Sequence, residues 1–132
     1  KPLIMKNNIL QTIICFFLLS CSSQTKEFSL IGEWKEIEYR GSNGADVFVQ
    51  KINKGRTFIF EKTNKVNIIK DGVVIHGDYQ IKGDSLQISL PNEDNFFLLF
   101  HLENGNLALN PMTEKYEIIC DEGCAYIFKK IK

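Results

Sequence analysis

The chain is expected to be all-β: an up-and-down antiparallel meander closing into a small β-barrel of 8-10 strands. Three observations lead there. Apolar and polar residues alternate with period two from Leu30 onward. Turn signals such as Asn43-Gly44, Asp71-Gly72 and Asn104-Gly105 recur at short intervals. Beyond residue 27, no stretch sustains helical amphipathicity over three turns. The length of 132 residues suits one small domain. With 16 Lys+Arg against 16 Asp+Glu, a dedicated nucleic-acid binder is not expected, since such proteins carry a basic excess. The 44% hydrophobic content excludes wholesale disorder.

Residues 1–20 hold a dense apolar run. After Met5 come Lys6, the polar pair Asn7-Asn8, and the stretch Ile9 to Leu19, interrupted only by Gln11 and Thr12. Eleven helical residues would reach about 16 Å, roughly half of a hydrocarbon core near 30 Å. That is the length of a signal-peptide core rather than a permanent transmembrane helix. Leu18-Leu19-Ser20-Cys21 resembles the bacterial lipobox. The resemblance implies diacylglyceryl transfer to the Cys21 sulfur and cleavage after the small Ser20. Residues 1–20 are therefore expected to be a lipoprotein signal peptide with translation starting at Met5, and residues 21–27 a lipidated polar tether. Two or three acyl chains would hold the protein at a membrane, at about 0.8 kcal/mol per buried CH₂. Removing 20 of the 132 residues leaves 112, and the loss of Lys1 and Lys6 takes the charge from 0 to −2. Membrane attachment would then be covalent rather than electrostatic.

The strands follow in order. Leu30–Arg40 contains Gly32-Glu33-Trp34, and Val47–Gln50 is a short strand or a helical turn. Thr57–Glu61, Val66–Lys70, Val73–Ile81, Ser85–Leu90 and Asn95–Leu102 come next. Leu107–Asn110, Lys115–Cys120 and Cys124–Lys130 complete the set. A sandwich is the competing architecture. The hairpin-by-hairpin order favours a barrel, which also removes exposed sheet edges.

Gly32-Glu33-Trp34 resembles the Gly-x-Trp opening strand of the calycins, the lipocalins and fatty-acid-binding proteins. The run His76-Gly77-Asp78-Tyr79-Gln80-Ile81-Lys82-Gly83-Asp84-Ser85-Leu86-Gln87-Ile88 is similar to the central hairpin of small lipocalin-like bacterial lipoproteins. The resemblance implies a lipocalin-like barrel over residues 28–132, with Trp34 as a structural plug across its closed end.

Candidate functional residues follow from strand parity. Phe58 and Phe60 share one face of their strand, as do Phe96, Leu98, Phe100 and Leu102 of theirs, and both faces are expected to point inward. They line a ligand pocket or meet in a solid core. Phe97 and Leu99 lie on the opposite face, as a contact patch or beneath the tether or the Asn43–Lys54 loop. Glu36 and Glu38 fall on the Trp34 face. Either they enter the interior, or a β-bulge turns them into water. Glu36 or Tyr79 would supply polar contacts near a rim.

Cys120 and Cys124 flank Asp121-Glu122-Gly123, so two strands joined there would bring them within disulfide range. A metal half-site and a redox pair are the competing readings. His76 and His101 are expected on the surface or in hydrogen bonds, and neither a metal site nor a cofactor is expected. No nucleophile elbow, zinc-binding helix motif or phosphate loop occurs, so the chain is not expected to be an enzyme.

The functional expectation is an envelope-anchored lipocalin-like lipoprotein that binds a small apolar or amphipathic ligand. Phe58, Phe60, Phe96, Leu98 and Phe100 would supply its wall. Its location would be the bacterial outer membrane, facing the periplasm or the cell surface. The alternative is a protein-binding module with a solid core, such as a hydrolase inhibitor or a subunit of an envelope complex. Expected partners are the membrane through the Cys21 lipid, a small hydrophobic ligand and, in the alternative, an envelope protein.

Overall fold

The computed structural model describes residues 28–120 and 123–132. The signal peptide, Cys21 and the tether expected over 21–27 lie outside the described residues.

Nine antiparallel strands run in sequence: β1 (Gly32–Ser42), β2 (Val47–Lys51), β3 (Thr57–Phe60), β4 (Lys65–Lys70) and β5 (Val73–Lys82), then β6 (Ser85–Ser89), β7 (Phe96–Glu103), β8 (Asn106–Met112) and β9 (Ala125–Lys130). The sheet order is β2-β1-β3-β4-β5-β6-β7-β8-β9, and β1 also pairs with β9. That last pairing closes eight strands into a barrel and leaves β2 as an additional strand. The expected meander and barrel are therefore present.

Hairpin chemistry explains the tight connections. Asp71 and Gly72 take φ of 50° and 77°, and Asn104 and Gly105 take 52° and 79°. Positive φ at both central residues is the type I′ geometry, whose twist matches that of the flanking strands. Asparagine, aspartate and glycine tolerate it at little steric cost.

The expected strand Lys115–Cys120 is absent. Instead β8 runs on through Pro111 to Met112, and the chain touches it again only at the bridge Met112↔Ile118. Thr113 organises the turn between them: its Oγ1 accepts from the N–H groups of Lys115 and Glu117. Local alternation over 115–120 reflects this loop, not a ladder. Cys120 and Cys124, at the end of this loop, nevertheless form a disulfide, with Cα atoms 5.5 Å apart. Val47–Lys51, left between strand and helical turn by its sequence, is a strand.

The interior comprises Leu30, Trp34, Phe58, Phe60, Val66, Ile68, Tyr79, Leu86, Ile88, Leu90, Leu98, Leu107, Leu109 and Phe128. Each such aliphatic or phenylalanine side chain contributes about 1.5–3 kcal/mol on full burial. A satellite cluster of Ala108, Ala125 and Ile127, with Ile37 packed against it, lies apart from the interior.

A β-bulge in β1 connects the two clusters. Opposite β9, Glu36 pairs with Phe128 and Glu38 with Ile127, so Ile37 is the extra residue. Paired residues share a face. Glu36 therefore stays on the Phe128 side, in the interior, while Glu38 moves to the Ile127 side. The expected bulge exists, but it reverses only one of the two carboxylates. Neither carboxylate ends in water, since both residues are buried.

Candidate functional site

The two ends of the barrel are filled differently. At the end where β1 begins, Trp34 is 2% exposed and its Nε1 donates to the Leu30 carbonyl at 2.8 Å. Phe28 packs edge-on against Trp34 at 6.2 Å, and the Lys130 ammonium sits 5.2 Å from the Trp34 ring centre. Phe60 and Tyr79 meet edge to face at 5.0 Å, and the Tyr79 hydroxyl donates to the Glu61 carbonyl at 2.7 Å. Burial pushes the Tyr79 phenol above its ordinary pKa.

The other end holds a cavity of about 470 Å³. Phe58, Ile68, Ile88, Leu98, Leu109 and Phe128 form its apolar wall, while Arg56, Lys70, Glu93 and Asn95 bring polar groups to it. Phe96 stands at its mouth, 44% exposed, and the side chains of Val73, Val74, Ile118 and Ile119 are exposed around the same end. Ile119, which lines the cavity, immediately precedes the Cys120–Cys124 disulfide.

The expected wall is thus brought together only in part. Phe58, Phe96 and Leu98 line the cavity. Phe60, Tyr79 and Phe100 do not. Phe60 and Tyr79 belong to the packed interior, and Phe100 stacks against Phe28 at 6.0 Å. Leu102 is 46% exposed, because its strand runs beyond the packed interior. Ile68, Ile88, Leu109 and Phe128 are wall residues that the sequence reading passed over. Their period-two positions carry the same signal as that of Phe58.

Glu36 reaches its position through a close approach. A Cβ at Gly55 would collide with the Glu36 carbonyl, so glycine lets the 55–56 segment lie against β1. The Glu36 N–H donates to the Arg56 carbonyl at 2.8 Å. In return, Arg56 donates to the Glu36 carboxylate from its main-chain N (3.0 Å), Nε (2.8 Å) and Nη2 (2.8 Å). The Arg56 guanidinium lies 4.8 Å from the Tyr126 ring centre and 5.5 Å from that of Phe58. Burial alone would raise the Glu36 pKa. Hydrogen bonds and charge from Arg56, with a smaller effect of Lys70, outweigh it and hold the carboxylate below its ordinary value. Glu36 is therefore committed to Arg56, which itself lines the cavity. Arg56 itself escaped the sequence reading, because no local pattern marks a loop residue that bonds 20 positions back.

Glu38 accepts from Lys51 Nζ and Arg40 Nε, both at 2.7 Å, and these bonds lower its pKa. His76 Nδ1 lies 2.6 Å from Asn67 Oδ1, so this histidine is hydrogen-bonded, and Asp78 pairs with Lys65. Phe97 packs against Tyr116, edge to face at 5.5 Å; the tether weighed as its cover lies outside the described residues.

Comparisons with protein-family models, curated proteins and solved structures found no match. The closed antiparallel barrel is consistent with a lipocalin-like fold.

Proposed function

We propose that the chain is a bacterial envelope lipoprotein, anchored through Cys21, whose barrel binds a small apolar or amphipathic molecule. The observation that carries the binding reading is the apolar cavity of about 470 Å³, which falls within the size range of small-molecule sites. Its wall is hydrocarbon and aromatic, and its polar groups stand where an amphipathic ligand would place its head. Lys70 is exposed there, whereas the Arg56 charge is already met by Glu36. The reading is of a binding protein rather than an enzyme. The anchor rests on the apolar leader and on Leu18-Leu19-Ser20-Cys21, and the outer-membrane reading on Ser22, where an aspartate would favour inner-membrane retention.

Native mass spectrometry of the chain from Ser22, expressed in an exporting host, tests the binding reading. A co-purified small molecule is expected. It should be lost in Leu98→Trp, whose indole would occupy the cavity. An empty protein that also fails to enhance the fluorescence of an apolar dye would overturn it. The anchor is tested separately by labelled palmitate: the full-length protein should take it up, and Cys21→Ala should not.

A further inference from the structure

The extra strand β2 ends the sheet. β1 pairs along one side of it, and no described strand pairs with the other. All five of its residues are exposed, including Val47 (68%), Phe48 (43%) and Val49 (56%). Natural sheets blunt such an edge with short strands, charged side chains, proline or a bulge. Here β2 is five residues long and carries one charged side chain, Lys51, which is bonded to Glu38.

The hydrogen-bond pattern fixes what the edge offers. The Ile52 N–H donates to the Ile37 carbonyl at 2.9 Å, and the Asn43 N–H to the Asp46 carbonyl at 3.2 Å. Because antiparallel bonding alternates residue by residue, Phe48 and Gln50 direct their main-chain groups toward β1. Val47, Val49 and Lys51 direct theirs outward.

We propose that this edge is a homodimer interface, in which β2 pairs antiparallel with β2 of a second copy about a two-fold axis at Val49. In that register Val49 faces Val49, and Val47 faces Lys51. Each outward N–H and C=O of the three edge residues then meets a partner. A two-fold interface requires one patch to complement itself, and this strand does so in charge as well as in hydrogen bonding. Asp46 falls opposite Ile52 of the second copy, whose Lys54 lies two residues further on, beyond the end of β2. Asp46 and Lys54 are both exposed, and neither makes an ion pair among the described residues. Two such contacts form by symmetry.

Sedimentation velocity on the chain from Ser22 tests the proposal; that chain contains every described strand and core residue. Mass action should give a monomer–dimer equilibrium. Val49→Pro removes an outward N–H that β1 does not use, so circular dichroism should be unchanged while the dimer dissociation constant rises at least about tenfold. Val49→Lys keeps the main-chain donors but sets like charges face to face, and should act in the same direction. Asp46→Lys should weaken the dimer, and Asp46→Lys combined with Lys54→Asp should restore it. A protein that stays monomeric at all concentrations overturns the proposal, as does a dimer indifferent to both Val49 variants.

Discussion

Arg56 holds the Glu36 carboxylate through three hydrogen bonds of 2.8–3.0 Å, and that grip ties the segment before β3 to the bulged strand β1. The carboxylate side chain is 6% exposed and the arginine 31%. Breaking a buried pair from one side leaves an uncompensated charge, which costs roughly 3–5 kcal/mol. Arg56→Ala should fall near the lower bound, about 3 kcal/mol, because its site is partly wetted. Glu36→Leu combined with Arg56→Met should cost less than the sum of the single changes. A urea-denaturation double-mutant cycle with zero coupling would show that the pair carries no stability.

Acid should weaken the fold through the same carboxylates. Burial raises the Glu36 pKa, but Arg56 more than reverses that; hydrogen bonds from Lys51 and Arg40 lower that of Glu38. A depressed folded-state pKa gives stability that is present above the unfolded value, near 4.3 for glutamate, and lost as pH falls through the folded value. Unfolding free energy should therefore decline below about pH 4.5. The decline should be shallower in Glu36→Gln than in the parent. Identical acid limbs in equilibrium denaturation would contradict this assignment.

Gly55 is where a single methyl group should do disproportionate harm. Its Cβ would meet the carbonyl and Cβ of Glu36, and main chain on both sides limits relaxation. Gly55→Ala should lower stability by about 2 kcal/mol, within the range for overpacking. Gly123→Ala offers a contrast: its Cβ would meet nothing within 4 Å, although its φ of 88° adds backbone strain. A calorimetric midpoint unchanged in Gly55→Ala would refute the close approach.

The disulfide Cys120–Cys124 spans a sequence separation of only 4. Chain-entropy reasoning for so short a loop gives about 2 kcal/mol. Cys120→Ser with Cys124→Ser should lose about that amount and leave the far-ultraviolet spectrum intact, since neither cysteine belongs to one of the nine strands. Hydrogen exchange should rise at Ile118 and Ile119, beside the cavity mouth. A collapse of the whole barrel would assign the bond a larger role.

Local sequence was enough to specify most of the strands and their tightest hairpins. Period-two alternation located eight of the nine strands directly, and Asp71-Gly72 and Asn104-Gly105 carry the positive φ that tight hairpins demand. These are local properties, set by sterics within a few residues. The spacing of Cys120 and Cys124 was equally local. Lys115–Cys120 misled because alternation cannot reveal how long a ladder forms, and after the turn at Thr113 the segment meets β8 at a single bridge, Met112↔Ile118.

Tertiary structure decided the rest. Closure of β1 on β9 determines which inward residues meet in solid packing, as Phe60 and Tyr79 do, and which border empty space, as Phe58 and Leu98 do. The bulge at Ile37 separates two glutamates that alternation had placed on one face. The Arg56–Glu36 grip joins residues 20 positions apart through a glycine contact that no local pattern announces. Each depends on distances between segments remote in sequence, and those distances exist only once the barrel has closed.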